Sequence, residues 1–206
     1  MDFNSFLIQV KSQIGKHDFS AQKLMSPFNI GDRNKWLATN PTPRLSAVMI
    51  LIYNKNNHAH IALIERPKYE GVHSGQIALP GGSKDPEDSN LQVTALRELY
   101  EEVGITGNVT VLGKLSDVYI PPSKFLVTPF IGVLNAVPNF IKDDFEVEQI
   151  IETPISLLFN DDIIKNGNVH IGVGNTNFKA PYFNVFGHKV WGATAIILSE
   201  FKALMK

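Results

Sequence analysis

The chain has 206 residues, a formal net charge of −1 and no cysteine, with 44% apolar and 19% charged residues. These values are typical of a globular protein with a buried core, and the length predicts one domain with an N-terminal extension. The near-neutral charge argues against nucleic acid or an anionic membrane as a partner. The lack of cysteine excludes disulfides, thiolate metal sites and a cysteine nucleophile. Because no apolar run reaches membrane-spanning length and no targeting signal is recognised, we expect a cytoplasmic location.

The N-terminal segment is predicted to pack on the main body. Its apolar residues recur at helical spacing, at Phe3, Phe6, Leu7 and Val10. This pattern predicts a helix over residues 3–14, and residues 15–43 are interpreted as a connector that wraps the body. We therefore divide the chain into an N-terminal helix with its connector, 1–43, and a main domain, 44–206. The alternative for the segment is packing on a second subunit, which would give a homodimer.

Two strands are predicted at the start of the main domain. Residues 45–54 form a continuous apolar run, and residues 58–66 follow after an asparagine-rich turn. His58 and His60 would face the same way on the second strand. Without a third nearby ligand, we interpret them as exposed residues and not as a zinc site. Residues 71–90 contain four glycines and two prolines, which predicts a loop around a short strand.

The rest of the chain alternates strands and helices. The predicted elements are a helix over 91–103, one or two strands within 107–120, a strand over 124–135, a helix over 154–160, a hairpin of 168–173 and 177–185, and a helix over 193–205. Trp191 and Phe186 are expected to pack in the core. Together these elements predict an α+β fold in which helices cover a mixed β-sheet.

The helix predicted over 91–103 carries three glutamates on one side. At about 100° per residue, Glu98, Glu101 and Glu102 share one sector, and apolar residues occupy the neighbouring sector. Gly104 follows as a C-cap. Carboxylates at this spacing repel one another, but a divalent cation that takes oxygen ligands would reverse the sign of the interaction. The alternative is a solvated acidic helix face.

A diglycine bend, Gly81-Gly82, lies just upstream of this helix. Glycine lets the backbone adopt angles that other residues resist and lets it approach a ligand closely. A carbonyl group of this bend is therefore a candidate for completing the oxygen shell of a cation. The alternative is an ordinary turn.

Together these features resemble the Nudix box. That motif reads Gly, five residues, Glu, seven residues, Arg-Glu, an aliphatic residue, any residue, Glu-Glu, any residue, Gly and an aliphatic residue. Its second half matches fully over residues 97–105. Its first half departs twice: Asp88 replaces the first Glu, and eight residues instead of seven separate it from Arg97. The resemblance implies a Nudix-type α/β/α sandwich with a mixed β-sheet between helices, and hydrolysis of a diphosphate linkage.

The upstream loop resembles the coenzyme A pyrophosphatase branch of the Nudix family. Seven residues fall in register with that branch's signature, namely Arg66, His73, Gly75, Gln76, Pro80, Gly81 and Gly82. The sequence departs at Pro67, where the branch has Ser, and at Leu79, where it has Phe. The resemblance covers about residues 44–200.

Hydrolysis of a diphosphate requires cationic help, because the substrate's negative charge repels incoming hydroxide. We hypothesise that Glu98, Glu101 and Glu102 hold Mg²⁺ or Mn²⁺ and that the Gly82 carbonyl adds a ligand. The family resemblance implies the same roles.

Three residues are candidates for catalysis. Arg97 is expected to orient the site by pairing with Asp88 or with a helix glutamate. The general base is either Glu98 or Glu146, which lies on a distant acidic loop. The alternative for Glu146 is a solvated acid.

Four residues of the upstream loop are candidates for substrate contacts: Arg66, His73, Gln76 and Gly81. For Arg66 the alternative is a surface salt bridge, and for His73 it is a hydrogen bond that stabilises the loop.

The expected function is metal-dependent hydrolysis of a small nucleoside diphosphate derivative. The branch resemblance implies coenzyme A or acyl-CoA as substrate, with adenosine 3′,5′-bisphosphate and 4′-phosphopantetheine or its acyl form as products. One alternative is hydrolysis of another diphosphate, such as ADP-ribose or a dinucleotide. The other is a Nudix-like nucleotide sensor without catalysis, although such modules commonly lose a box glutamate and all three are present here.

Overall fold

The computed structural model of the protein describes residues 1–27, 35, 37–39, 42–69, 73–171 and 176–206. In this part of the chain the main sheet has eight strands: β1 (Arg44–Lys55), β2 (His58–Glu65), β3 (Ile77–Ala78), β4 (Gly81–Ser83), β5 (Val109–Lys114), β6 (Val118–Ile120), β7 (Phe125–Leu134) and β8 (Gln149–Pro154). Five of them follow the order β3-β2-β1-β7-β5, while β4 pairs with β1, β6 with β7 and β8 with β2. The β1–β7 pair is parallel and the other pairs are antiparallel, so the sheet is mixed.

In the described residues, five helices and a second, three-stranded sheet accompany the main sheet. The helices are α1 (Phe3–Gln13), α2 (Phe19–Met25), α3 (Leu91–Val103), α4 (Ile155–Leu158) and α5 (Gly192–Leu204) within the described ranges. The small antiparallel sheet has the order β11-β10-β9 and consists of β9 (Ile164–Ile171), β10 (Thr176–Val185) and β11 (His188–Val190). A short 3-10 helix, Asp161–Ile163, precedes β9.

Strand β1 is buried on both faces, which explains its continuous apolar sequence. Met49 and Leu51 point to one core cluster, which also contains Leu99 of α3. Ile50 and Ile52 point to the opposite cluster, which contains residues of α1 and α5. Helices therefore cover both faces of the sheet, and the predicted α/β/α sandwich is confirmed.

Helix α1 contributes to the larger core cluster. The Asp2 side chain caps the helix by accepting a hydrogen bond from the Ser5 N–H. Phe6 is fully buried and makes edge-on contacts with Phe159 and Phe201, at centroid distances of 6.4 and 6.1 Å. The apolar face of α1 thus packs on its own chain, while the proposed division at residues 43 and 44 and the homodimer stay predictions.

Several elements differ from the sequence-based expectations, among them β8, α4 and α2. Strand β8 was not predicted, and its antiparallel pairing with β2 leaves α4 with only the four residues Ile155–Leu158. Helix α2 interrupts the predicted connector, where the Asp18 side chain caps it. Several other connector residues, 28–34 among them, lie outside the described residues. No helix in the described ranges is long and apolar enough to cross a membrane.

The packing of α1 predicts that Phe6→Ala destabilises the fold. Removing a fully buried phenylalanine side chain costs about 3–5 kcal/mol, because both transfer free energy and packing are lost. Urea unfolding would measure the difference in the free energy of unfolding. The matched control is Ile8→Ala, since Ile8 on the same helix is 71% exposed and its loss should cost no more than about 0.5 kcal/mol. Equal stability of the two variants would contradict the packing of α1.

Candidate metal and active site

Helix α3 positions the glutamates through local signals at both ends. The Asn90 side chain accepts hydrogen bonds from two backbone N–H groups of the first turn, and Gly104 ends the helix in the left-handed conformation at φ 72°. These caps confirm the helix predicted over 91–103. Leu99 and Val103 are buried against the sheet, and the same rotation of the helix buries Glu98 and Glu102 as well.

Three carboxylates converge at this face of α3. One carboxylate oxygen each from Glu98, Glu102 and Glu146 lies within 4.8 Å of the others. Glu98 and Glu102 are buried, whereas Glu146 is exposed on the loop between β7 and β8. The structure therefore brings Glu146, a candidate general base, to Glu98 and Glu102, two of the predicted metal ligands.

The surroundings disfavour the charged forms of the buried pair. Burial raises the pKa of Glu102 to about 8; Arg66 and the Gly81 N–H oppose this rise, and the charges of Glu98 and Glu146 add to it. Burial also raises the pKa of Glu98, although Arg97 opposes that shift. A divalent cation among these oxygens would favour the ionised forms, and hard cations such as Mg²⁺ take carboxylate ligands. The donor set thus fits Mg²⁺ or Mn²⁺.

Glu101 lies outside this cluster. Its carboxylate is about half exposed and accepts a hydrogen bond from Arg97 Nη1 at 2.6 Å. As a metal ligand, Glu101 stays a prediction.

Arg97 joins α3 to the loop that precedes it. Its guanidinium donates to both oxygens of Asp88, at 3.2 and 3.0 Å, and to the Ser83 carbonyl at 2.9 Å. It also donates to Glu98 at 2.9 Å. The hydrogen bonds from Arg97 to Asp88 hold the pKa of Asp88 well below its usual range. Asp88, which departs from the Nudix pattern by one residue type and one position, thus still forms a bidentate pair with the motif arginine.

The two glycines of the diglycine bend each lie very close to a neighbouring part of the protein. A Cβ atom on Gly81 would collide with the backbone carbonyl of Ala47, and φ at Gly81 is +152°. A Cβ atom on Gly82 would collide with the carboxylate of Glu98. The Gly81 N–H donates to Glu102 Oε2 at 2.7 Å. The first glycine therefore fits the bend to β1, and the second brings the main chain against a carboxylate of the cluster.

The upstream loop contributes three polar side chains next to the bend. Arg66 Nη2 donates to the Gly81 carbonyl at 3.0 Å and lies 3.5 Å from Glu102. His73 Nδ1 lies 3.1 Å from Gln76 Oε1. Arg66 is thus paired with buried groups of the site and is not a surface salt bridge, while its role toward a substrate stays a prediction.

A cavity of about 290 Å³ opens beside the bend. Arg66, His73, Gln76, Gly81 and Gly82 lie in its wall, so the structure brings all the candidate substrate contacts to one place. The remaining wall is mainly apolar and includes Val118, Phe125, Phe178, Trp191 and Ile197.

The expectation that Phe186 packs in the core was wrong. Phe186 is 62% exposed and has a positive φ of 51°, because it lies in the tight turn between β10 and β11. Trp191 is half-buried in the cavity wall.

Sequence reasoning missed Asp143, which holds the loop of Glu146. Asp143 Oδ1 accepts hydrogen bonds from the N–H groups of Phe145 at 2.8 Å and Glu146 at 2.9 Å. Its own N–H donates to the carbonyl of Glu102 at the end of α3, and its carbonyl accepts from the buried Val147. The loop is thereby tied to the glutamate helix. The available signal was the Asp-Asp-Phe-Glu sequence, in which an aspartate can form an Asx turn.

Comparison with known proteins identifies the family. A family model described as "NUDIX domain" matches residues 43–153. An uncharacterised Nudix hydrolase, NudL, from Yersinia pestis is 33% identical over 178 residues, which covers 85% of this chain and 86% of NudL. The chain belongs to the Nudix family.

Known structures agree with the Nudix fold. A MutT/nudix family protein from Enterococcus faecalis matches with a TM-score of 0.53 and 16% identity, over 86% of this chain and 74% of that one. As a Nudix hydrolase, the protein is a pyrophosphohydrolase, and enzymes of this family generally use divalent metal ions.

We expect substitution of the two glycines of the Nudix bend to have different effects, one on stability and one on metal binding. Gly81→Ala should lower the melting temperature, because the new Cβ meets backbone and the positive φ costs about 1–3 kcal/mol. Gly82→Ala should keep the fold, because the Glu98 carboxylate can move away, but it should weaken Mn²⁺ binding by roughly tenfold or more. Thermal unfolding and Mn²⁺ titration calorimetry would measure the two effects. A Gly82→Ala protein with normal Mn²⁺ affinity would contradict the proximity of the bend to the metal ligands.

The Asx turn of Asp143 predicts a second contrast. Asp143→Ala should weaken Mn²⁺ binding by about tenfold, because Glu146 loses the hydrogen bonds that fix its loop. Asp143→Asn keeps an acceptor oxygen and should restore most of the affinity. The control is Asp144→Ala, since Asp144 lies on the same loop and, among the described residues, forms its ion pair with Lys142 at the surface. Equal affinity of Asp143→Ala and Asp144→Ala would show that the turn does not position Glu146.

Proposed function

We propose that the protein hydrolyses the diphosphate of coenzyme A or an acyl-CoA. The products would be adenosine 3′,5′-bisphosphate and 4′-phosphopantetheine or its acyl form. The observation that carries this proposal is the common wall of the cavity, where Arg66, His73 and Gln76, three residues of the branch resemblance, adjoin the Nudix diglycine bend. Residues that are separate in sequence thus surround one space beside the carboxylates.

Glu98, Glu102 and Glu146 would hold Mg²⁺ or Mn²⁺, with Glu101 and the Gly82 carbonyl as further candidate ligands. When bound, such an ion would supply Lewis acidity toward the phosphoryl oxygens and the attacking water. Arg66 lies where its positive charge can face the diphosphate while it also screens Glu102. Its contact with the Gly81 carbonyl fixes the direction of the guanidinium.

Arg97 acts as a positioning residue in this proposal. Its contacts to Asp88 and Ser83 hold the preceding loop against α3, and its contact to Glu98 fixes one carboxylate. None of these contacts requires the substrate. A bidentate guanidinium–carboxylate pair gives more geometric definition than a lysine would, because both partners are planar.

The reaction needs a group that accepts a proton from the attacking water. As the new P–O bond forms, the bond between phosphorus and the bridging oxygen breaks, and the bridging oxygen leaves on the other phosphate. Glu98 and Glu146 are the two candidate bases. Glu146 is exposed and can release the proton to solvent, whereas Glu98 is held by Arg97 and buried.

The apolar part of the cavity suits the portion of the substrate beyond the diphosphate. Val118, Phe125 and Trp191 offer dispersion contacts but few polar groups. Hydrolysis of ADP-ribose or a dinucleotide is the alternative catalytic function. A nucleotide sensor is disfavoured because the three box glutamates are present and two of them meet a third carboxylate.

Product formation across a substrate panel tests the proposal. We expect Mg²⁺- or Mn²⁺-dependent turnover of coenzyme A and acyl-CoA, with kcat/KM at least about tenfold above that of ADP-ribose or diadenosine polyphosphates. Chromatography of the products would show adenosine 3′,5′-bisphosphate. Glu146→Gln and Glu101→Gln, both on exposed side chains, should keep the fold, and their relative losses would show which of the two glutamates serves the reaction.

Two results would contradict this function. Higher kcat/KM with ADP-ribose would reassign the substrate. Tight nucleotide binding without turnover of any panel member would support the sensor.

A further inference from the structure

A basic depression adjoins the cavity on the side of the small sheet. It has a volume of about 740 Å³ and is lined by Lys68, His170, His188 and Lys189, with Glu65 as its acidic member. Among the described residues of its wall, four groups that can carry positive charge therefore accompany one carboxylate. The whole chain has a net charge of −1, so this local excess of positive charge departs from its average.

Glu65 is the one carboxylate among the described residues that line the depression, and it is already engaged. Glu65 Oε2 accepts a hydrogen bond from Gln149 at 2.5 Å and lies 3.9 Å from His188 Nδ1. Within the described ranges, neither Lys68 nor Lys189 forms an ion pair with a carboxylate. Lys189 Nζ donates to the Asn168 carbonyl at 2.7 Å, which holds its ammonium group at the edge of the small sheet. The same ammonium group lies 5.5 Å from the centre of the Tyr182 ring. In the part of the chain that the structure describes, the exposed Lys68 and Lys189 thus have no carboxylate partner that would compete with an anion.

The depression and the cavity share part of one wall. Tyr69, Gln76, Ile77 and Trp191 line both. The wall of the cavity also contains Gly81 and Gly82, so the depression adjoins the space beside the diglycine bend. A ligand whose diphosphate lies at the bend can therefore extend toward the depression.

We propose that this depression binds a phosphate monoester that the substrate carries in addition to its diphosphate. This inference rests on the proposed function, because coenzyme A has such a group on its ribose, whereas dephospho-CoA and ADP-ribose do not. Lys68 and Lys189 supply fixed positive charge, and a phosphate dianion offers several acceptor oxygens for charge-assisted hydrogen bonds. The depression would make the enzyme selective among diphosphates that the carboxylate cluster alone treats alike.

Comparison of coenzyme A with dephospho-CoA tests the inference, since the two differ only in this phosphate. In the wild type, kcat/KM for coenzyme A should exceed that for dephospho-CoA by about tenfold or more at low salt. The double variant Lys68→Ala/Lys189→Ala should bring the ratio close to one, mainly through KM. Added salt should lower the wild-type ratio, because the lysines are exposed. The control is Lys179→Ala, since Lys179 is exposed on β10 of the same small sheet but does not line the depression.

The outcomes separate this inference from the proposed function. Turnover of both compounds with equal kcat/KM in the wild type would overturn the inference and leave the pyrophosphatase function intact. A preference for coenzyme A that survives in the double variant would also overturn it, because the phosphate would then be recognised elsewhere. Turnover of neither compound, with turnover of ADP-ribose, would overturn the proposed function and this inference with it.

Discussion

The structure depends on keeping three mutually repelling carboxylates together at a half-buried point. Glu98 and Glu102 lie one helical turn apart on α3, and the loop that follows β7 brings Glu146 to them. Arg66, Arg97 and the Gly81 N–H each offset part of the repulsion. The pKa of Glu98 and that of Glu102 are still raised by burial, and a divalent cation among the three carboxylates would relieve this by favouring their ionised forms. The arrangement is therefore poorly suited to a merely structural role, because apolar side chains would fill the same place at lower cost.

The central strand β1 supports both the diglycine bend and helix α3. Strand β4 pairs with β1, and the close approach of Gly81 to the Ala47 carbonyl sets where the bend passes over the sheet. Helix α3 packs on the same strand through Leu99. Because bend and helix share β1 as their base, the distance between Gly82 and Glu98 is fixed by the core and not by the exposed loop between them.

The parts of the fold that local signals determine could be predicted from the sequence. Helix α3 was predicted with its correct ends, because Asn90 and Gly104 act through neighbouring backbone groups and the apolar period lies within one element. Strand β8 could not be predicted in this way, since it depends on an antiparallel partner, β2, more than eighty residues earlier in the chain. The role of Asp143 was missed because it depends on a backbone hydrogen bond to Glu102 at the end of α3, about forty residues earlier in the chain. The glutamates of α3 could be recognised from the local sequence. The residues that surround them in space are determined by tertiary packing and could not be recognised in this way.

The family match covers residues 43–153, but part of the cavity wall lies outside it. Ser26 and Pro27 come from the segment before the match, and Phe178, Trp191 and Ile197 come from the part after it. The buried Glu200 of α5 joins these outlying parts, because its carboxylate accepts hydrogen bonds from Gln22 of α2 and from Ser116, just before β6. The matched region thus contains the carboxylates and the bend, which fix the reaction. The flanking segments supply a further part of the wall of the same cavity, so the space beside the bend is built from residues both inside and outside the matched region.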